Sequence, residues 1–380
     1  MSRSGAYIKQ LSGYKAFIPN PLPPEPGITL NEELTEKLLR ANFLIARLDG
    51  LGFTLPNTDL FISMYVKKEA LLSSQIEGTQ ASLENLFEFE SGMQIDNLND
   101  VEQVVNYIKA LNYGIKKLKT FPMSLRLIKE IHALVLHETR GKHKTPGEFK
   151  KTQNWIGSAN SNLNNAIFVP PPADETIKAM GDLENYFYSE NKIPELINCA
   201  LIHYQFETIH PFLDGNGRVG RLLITFYLYW KNIIERPLLY LSYYFKKNRQ
   251  EYYDRLMIVR NKGDYEQWIN FFLDGVIETS EMAINDIKKI LELQASDQKL
   301  LWEKKISSPL VVMVHNKLFY TPVITINEIE KAFDVSYPTA SNVVNQLIKV
   351  GILQETTGQK RSKRYIYKKY MDILAQGTQI

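Results

Sequence analysis

Twelve consecutive residues carry most of the chemistry this chain could perform: His210-Pro211-Phe212-Leu213-Asp214-Gly215-Asn216-Gly217-Arg218-Val219-Gly220-Arg221. A helical pattern precedes them and another follows. Gly-Asn-Gly between two helices can turn backbone N–H groups inward as an anion nest, which adds to the positive end of the second helix. Arg218 and Arg221, three apart on the first turn of that helix, can reach one anion together. Asp214 offers a carboxylate to a Mg²⁺ bridging phosphate oxygens. His210, with an ordinary pKa near 6.5, suits removal of a proton from an attacking hydroxyl. A base, a metal carboxylate, a nest and two arginines describe phosphoryl or nucleotidyl transfer. Taken singly, Gly-Asn-Gly reads as a tight turn and a histidine before proline as a helix end; a turn alone requires neither Asp214 nor the paired arginines. No Walker A or kinase glycine loop is present.

The elements that must position these groups are mainly helical. Apolar residues at three- and four-residue steps predict helices over about 29–50, with Thr29 as N-cap, and over 59–74, 101–118, 124–138, 175–189, 194–209, 217–229, 249–260 and 265–293. The first 28 residues read as an irregular, extended, proline-rich arm, because 18–27 holds five prolines in ten positions. The best early strand signal is the run 167–172, behind a polar tip, which reads as a hairpin. Beyond residue 300 the order is helix, turn, helix, then two strand-like runs at 352–355 and 364–367. That is the order of a winged helix-turn-helix module. The expected architecture is therefore an N-terminal helical region over 29–100, a catalytic core over 101–295 and a winged helix over 300–375.

The motif at 210–221 resembles the signature of Fic-domain proteins, HPFx[D/E]GNGRxxR, at every defined position. The resemblance implies a helical bundle that transfers AMP from ATP to a Ser, Thr or Tyr hydroxyl of a target protein, or of itself, releasing pyrophosphate. It implies His210 as general base and Asp214 as the Mg²⁺ ligand. Gly215, Asn216 and Gly217 would form the anion hole, and Arg218 and Arg221 would hold phosphates, with Val219 and Gly220 inside the same nucleotide-binding turn. The phosphorylating relatives depart from Gly-Asn-Gly, and this chain does not. Residues 146–172 resemble the family's flap, with the target docked on 154–172. Residues 241–256 resemble the stretch over the nucleotide base, with Asn248 and Tyr252 expected at ribose and adenine. Ser73, Glu77 and Gly78 match the inhibitory motif [S/T]xxxE[G/N]. Their expected device is a pair between Glu77 and Arg218 that keeps out the γ-phosphate. Glu77 could also position water for AMP removal.

Composition limits the alternatives. The 380 residues with 44% hydrophobic content are ordinary for a globular chain, and one cysteine (Cys199) cannot make a disulfide or a cysteine-rich metal site. No apolar run is long enough for a membrane span and the N-terminus lacks a signal-peptide core, so a cytoplasmic protein is expected. The six histidines include no HExxH, which speaks against zinc hydrolysis. The net charge of +3 hides an uneven distribution: 341–370 hold seven Lys and Arg against one Glu, a local +6, leaving −3 elsewhere. A DNA-binding regulator acting through 325–370, with Lys360, Arg361, Lys363, Arg364, Lys368 and Lys369 on phosphates, is the competing reading; the same module could instead dock a protein. A self-contained toxin with its antitoxin helix fused in cis is a third. Oligomeric state stays open, with a homodimer among the options.

Overall fold

The computed structural model describes residues 2–54, 58–90, 92, 95, 97–137, 139–158, 160–356 and 363–378. Most of them are helical. The helices are α1 (Glu32–Thr54), α2 (Thr58–Ile76), α3 (Leu83–Glu90), α4 (Leu98–Leu118), α5 (Leu125–Val135), α6 (Ala173–Phe187), α7 (Glu195–Ile209) and α8 (Asn216–Trp230). They continue with α9 (Ser242–Lys247), α10 (Arg249–Lys262), α11 (Tyr265–Glu303), α12 (Pro309–Leu318), α13 (Ile326–Phe333), α14 (Tyr337–Lys349) and α15 (Lys368–Ala375). Antiparallel strands β1 (Gly5–Lys9) and β2 (Lys15–Pro19) make one hairpin; β3 (Val323–Ile324), β4 (Gln354–Glu355) and β5 (Tyr365–Ile366) make a small sheet ordered β3-β5-β4.

The centre of the bundle is α7, whose residues from Leu196 to Ile209 are all buried. A helix surrounded on every side has no polar face, so its sequence shows little amphipathic contrast. Helix α8 folds back on α7, and α4 and α2 close over α8. The α4–α8 crossing is tight because residue 114 is glycine: a Cβ there would lie 2.2 Å from the Phe226 ring. Helix α1 packs along the 39-residue α11, tied by Lys37 to Asp274 at 2.8 Å.

Several expectations are corrected. The N-terminal arm is not irregular throughout: 5–19 form the β1–β2 hairpin, with Tyr7 opposite Phe17. Phe17 is fully buried, and its N–H donates to the Val169 carbonyl at 2.9 Å, so β2 is stitched to the flap. Proline density after residue 18 obscured the short alternation before it. Asn31, not Thr29, caps α1, since its Oδ1 accepts from Leu34 N–H at 2.8 Å. Helix α1 runs past residue 50 to Thr54, and α11 runs ten residues beyond its expected end. Among the described residues, the flap at 146–172 forms one antiparallel bridge, Ile156 to Phe168.

In the C-terminal segment Thr325 and Glu328 form a capping box on α13, Pro338 sits in the first turn of α14, and Gly351 ends it with φ 75°. Along α14, Val343, Val344 and Leu347 are buried and Ile348 is exposed. Lys360 and Arg361 lie outside the described residues. Lys363, Arg364 and Lys368 pair with Glu355, Glu88 and Asp372 at 2.7–2.8 Å, so part of the basic surplus is neutralised locally. Helix α15 rests on α11 and α2, and Lys246 joins Gln75 of α2 to the Thr378 carbonyl. No described helix is long and apolar enough to cross a membrane.

The α4–α8 contact gives a direct test of this packing. Gly114→Ala forces Phe226 or the helix axis to move, and overpacking of that kind costs about 1–3 kcal/mol. Urea unfolding followed by circular dichroism should show the loss, whereas Gly181→Ala, on an open helical surface with nothing near its Cβ position, should not destabilise.

Candidate active site

Helix α7 ends at His210, which sits in the left-handed region at φ 49°; Gly215 takes φ 77° just before α8 begins. The left-handed residue turns the chain sharply off α7, and the loop 211–215 is then braced from within. Asn216 Oδ1 accepts from Phe212 N–H at 2.9 Å and its Nδ2 donates to the Phe212 carbonyl at 2.8 Å. Asn216 thus holds the loop with its side chain while its backbone helps form the helix start. Phe212 is fully buried and stacks on His132, with ring centroids 3.7 Å apart. Gly147 N–H donates to His132 Nδ1 at 2.9 Å, which leaves Nε2–H to donate to the Asp214 carbonyl at 3.0 Å. One neutral imidazole therefore joins α5, the flap base and the loop. Burial pushes its pKa down to about 4, consistent with that role.

The flap base also clamps His210 from behind. Lys150, which is buried, donates from Nζ to Asn154 Oδ1 at 2.7 Å and to the His210 carbonyl at 3.1 Å. Asn154 Nδ2 donates to the His210 and Phe212 carbonyls at 3.0 and 2.8 Å. Burial pushes the Lys150 ammonium down to about 7. The His210 side chain keeps about 20% exposure, and its Nδ1 is buried without a hydrogen-bond partner. Burial, then the charges of Lys150 and Arg260, depress its pKa to about 3. It is a neutral imidazole in the ordinary pH range, as a proton acceptor must be.

The two arginines behave differently. Arg221 is buried to 2% exposure and is fully engaged from α2: its Nε donates to Ser73 Oγ at 2.7 Å, and its Nη2 donates to the Ser73 carbonyl at 2.9 Å and to Glu77 Oε1 at 2.6 Å. Burial works to lower its pKa, but Glu77, Tyr252 and Glu207 outweigh that, so it stays a cation. Arg218 donates to Gln103 at 3.2 Å and stands 3.8 Å from Asp214, while its Nε has no partner. The expected Glu77–Arg218 pair is therefore corrected to Glu77–Arg221. Ser73 lies one helical turn before Glu77, so both meet the arginine that points down onto α2; Arg218, three residues earlier, points toward α4.

Glu77 also covers the helix start. A Cβ at Gly217 would meet Glu77 Oε1 at 2.1 Å, so this carboxylate lies directly against the first turn of α8, whose leading N–H groups lack intrahelical partners. Gly78 follows in positive φ (+99°), releasing the chain from α2. Asp214 is about 47% exposed; its Oδ1 accepts from Gly215 N–H at 2.6 Å.

Other expected residues sit elsewhere. Val219 is fully buried and Gly220 faces α7, where His203 Nδ1–H donates to its carbonyl at 2.9 Å; neither opens to the site. Tyr252 is buried too: its hydroxyl donates to His203 Nε2 at 2.9 Å and its ring stacks on Phe245. A contact from Tyr252 to a base is thus corrected; the half-buried Tyr253 beside it feels Glu77 and Arg221. Asn248 precedes α10 and donates to the Tyr244 carbonyl at 3.0 Å. Cys199 is buried, and burial raises its thiol pKa.

Two buried carboxyl groups escaped the sequence analysis. Glu207 borders His210 and Arg221. Glu69, on α2 behind the arginine, accepts from the Tyr107 hydroxyl at 3.0 Å and from Ser242 N–H at 3.2 Å, and also from the Ser242 hydroxyl. Their sequence signal was faint: a Glu three residues before His210, and a Glu one turn before Ser73. Burial raises both to about 7. A folded pKa above the unfolded one means that the stabilisation is complete below about 4.5 and is lost as pH rises through about 7. Glu69→Gln removes one such titration. The variant's unfolding free energy should therefore gain on wild type between pH 5 and 7, by at most about 1.4 kcal/mol per pH unit. Parallel pH profiles would contradict the assignment.

Comparison with known proteins adds the lineage. Residues 35–116 match the Fic/DOC family N-terminal model and residues 122–228 match the Fic/DOC family model. Among curated relatives, the protein adenylyltransferase Fic of Drosophila grimshawi is 30% identical over 200 residues, covering 50% of this chain and 36% of that one. Its counterpart in Culex quinquefasciatus is 28% identical over 200 residues, covering 50% and 35%. The chain thus spans little more than a third of the length of these relatives. In fold, a Fic family protein from Desulfovibrio desulfuricans G20 covers 90% of this chain and 97% of its own, with TM-score 0.59 at 19% identity. Fic-1 (residues 134–508) from C. elegans covers 68% and 74%, with TM-score 0.52 at 20% identity. Two successive segments of the chain are thus similar to the N-terminal and central models of the Fic/DOC family.

Proposed function

We propose that this protein transfers AMP from ATP to a hydroxyl side chain of a protein, releasing pyrophosphate, and that Glu77 restrains it. The observation that carries this reading is the carboxylate of Glu77 lying on the start of α8 and paired with Arg221. A carboxylate held at a helix N-terminus beside a buried guanidinium occupies a place built for an anion. When Glu77 leaves, the first-turn N–H groups, Arg221 and the unfilled Nε of Arg218 present donors for a polyphosphate. His210 stands at the neighbouring loop with a neutral ring to take the proton from an acceptor hydroxyl. The relatives named as adenylyltransferases support AMP as the transferred group.

Mg²⁺ fits this donor set, since the cation commonly uses one or two carboxylates with substrate phosphates and water. Among the described residues no cluster of three or more acidic, His or Cys side chains is arranged to hold a metal without substrate. The half-exposed Asp214 would hold it, and it would supply charge neutralisation at the phosphates. An acceptor segment would lie along the flap at 154–172, pairing with backbone groups so that its hydroxyl reaches His210. Glu77 would, in the reverse direction, position water for AMP removal. A location in the cytoplasm fits a reaction that uses ATP.

The exposed polar face of α14, with Asn342, Asn345 and Lys349, supports a second activity in which the C-terminal segment acts as a winged helix on DNA. A salt-dependent mobility shift of the full chain on mixed-sequence DNA tests it; no shift at low salt removes it.

Intact mass after incubation with ATP and Mg²⁺ tests the main reading. Glu77→Gly should gain the mass of AMP on itself or an added acceptor, faster than wild type by up to about a hundredfold if about 1% of the braked protein is competent. Adding His210→Ala should abolish the gain. A mass increase of one phosphate, or no gain over wild type, would contradict the assignment.

A further inference from the structure

Two buried polar atoms at the proposed base lack partners. His210 Nδ1 is enclosed and makes no well-formed hydrogen bond, feeling the Glu207 carbonyl weakly; Glu207 Oε1 is enclosed and unbonded against Gly220, and the other carboxylate oxygen, Oε2, lies 4.0 Å from His210 Nδ1. Such orphans are rare because each costs the desolvation of its group. The backbone on both sides is pinned. Arg260 Nη2 donates to the Glu207 carbonyl at 3.1 Å and its Nε to the Thr208 hydroxyl at 3.1 Å, while Lys150 and Asn154 hold the His210 carbonyl. Only side-chain rotation remains free to close the gap. Space for the carboxylate exists because residue 220 is glycine: a Cβ there would meet Glu207 Oε1 at 2.2 Å.

We propose that Glu207 is the positioning residue for His210, accepting a hydrogen bond from Nδ1–H when the protein is released from Glu77. This inference rests on the AMP-transfer reading. The bond fixes the proton on Nδ1 and leaves the Nε2 lone pair for the acceptor hydroxyl. In the transfer step the hydroxyl oxygen bonds to the α-phosphorus of ATP and the bond to the bridging oxygen of pyrophosphate breaks. The hydroxyl proton passes to Nε2, and pyrophosphate leaves with the electron pair. The Glu207 carboxylate then faces an imidazolium, which it stabilises, and the proton is later lost to solvent.

The surrounding charges support this coupling. Glu207 is faced by Arg221 from α8, Glu77 from the end of α2, Arg260 from α10 and His210 itself; Lys150 faces His210 from the flap. Burial raises Glu207, Arg221 lowers it, and Glu77 raises it again, so departure of Glu77 favours the carboxylate form. A base depressed as far as His210 takes up a proton poorly without such a partner.

The test compares Glu207→Gln and Glu207→Ala in the full chain carrying Glu77→Gly. Steady-state AMP transfer should lose about 10–100-fold in kcat in both, with KM for ATP within about twofold. The tautomer of His210, read from the ¹⁵N shifts of its ring without ATP, should be Nδ1–H in the Glu77→Gly chain and in Glu207→Gln, whose amide oxygen still accepts. It should become mixed in Glu207→Ala. Unchanged kcat in both variants, or the same tautomer with and without the Glu207 side chain, overturns the proposal. If the Glu77→Gly chain transfers no AMP, the functional reading fails, and the ring shifts still decide the contact.

Discussion

A guanidinium with almost no exposure must have its charge and its donors met inside the protein, and Arg221 meets them from one helix. Ser73 supplies a hydroxyl and a carbonyl; Glu77 supplies a carboxylate. A buried charge stripped of its partner costs several kcal/mol, so Arg221 can exchange Glu77 only for another anion. The nucleotide is the natural competitor, because its phosphates would meet the same guanidinium and the same helix start. On the proposed reading, restraint and substrate binding would be two uses of one cation.

The rest of the bundle serves that contact. Helix α8 must present its N-terminus to α2, which the glycine crossing with α4 and the buried α7 allow. Behind the arginine, Glu69 joins α2 to Tyr107 of α4 and to Ser242 at the start of α9, so the helix that carries Glu77 is anchored on its far side by polar bonds. The flap is fixed at its base by His132, Lys150 and Asn154 and along its returning strand by β2, leaving its polar tip to face outward. Helix α15 touches α2 as well, so the C-terminal segment shares a surface with the helix that precedes Glu77.

Much of this was legible in the chain. The 3.6-residue pattern marked most of the helices, and the twelve-residue motif marked the histidine, the loop and the two arginines that the structure brings to one place. What spacing could not say is which arginine looks toward α2: three residues on a helix separate Arg218 from Arg221 by most of a turn, and the choice depends on how α2 packs. The N-terminal hairpin was hidden because its alternation spans only five residues a side next to a proline run. Glu207 was hidden for a different reason. It lies in a helix buried all round, where no polar face sets one carboxylate apart, and only its three-residue spacing from His210 gives it away. Tyr252 was misplaced because tyrosines in a helix repeat every few residues, and burial, not sequence, sorts the packed one from the open one.

The central claim is that Ser73 and Glu77 compete with a triphosphate for Arg221. Isothermal titration of ATP with Mg²⁺ into the full wild-type chain and into Ser73→Ala/Glu77→Gln measures that competition directly. The account predicts binding at least about tenfold tighter in the double variant, a gain of about 1.4 kcal/mol or more. Equal affinities for the two proteins would contradict it.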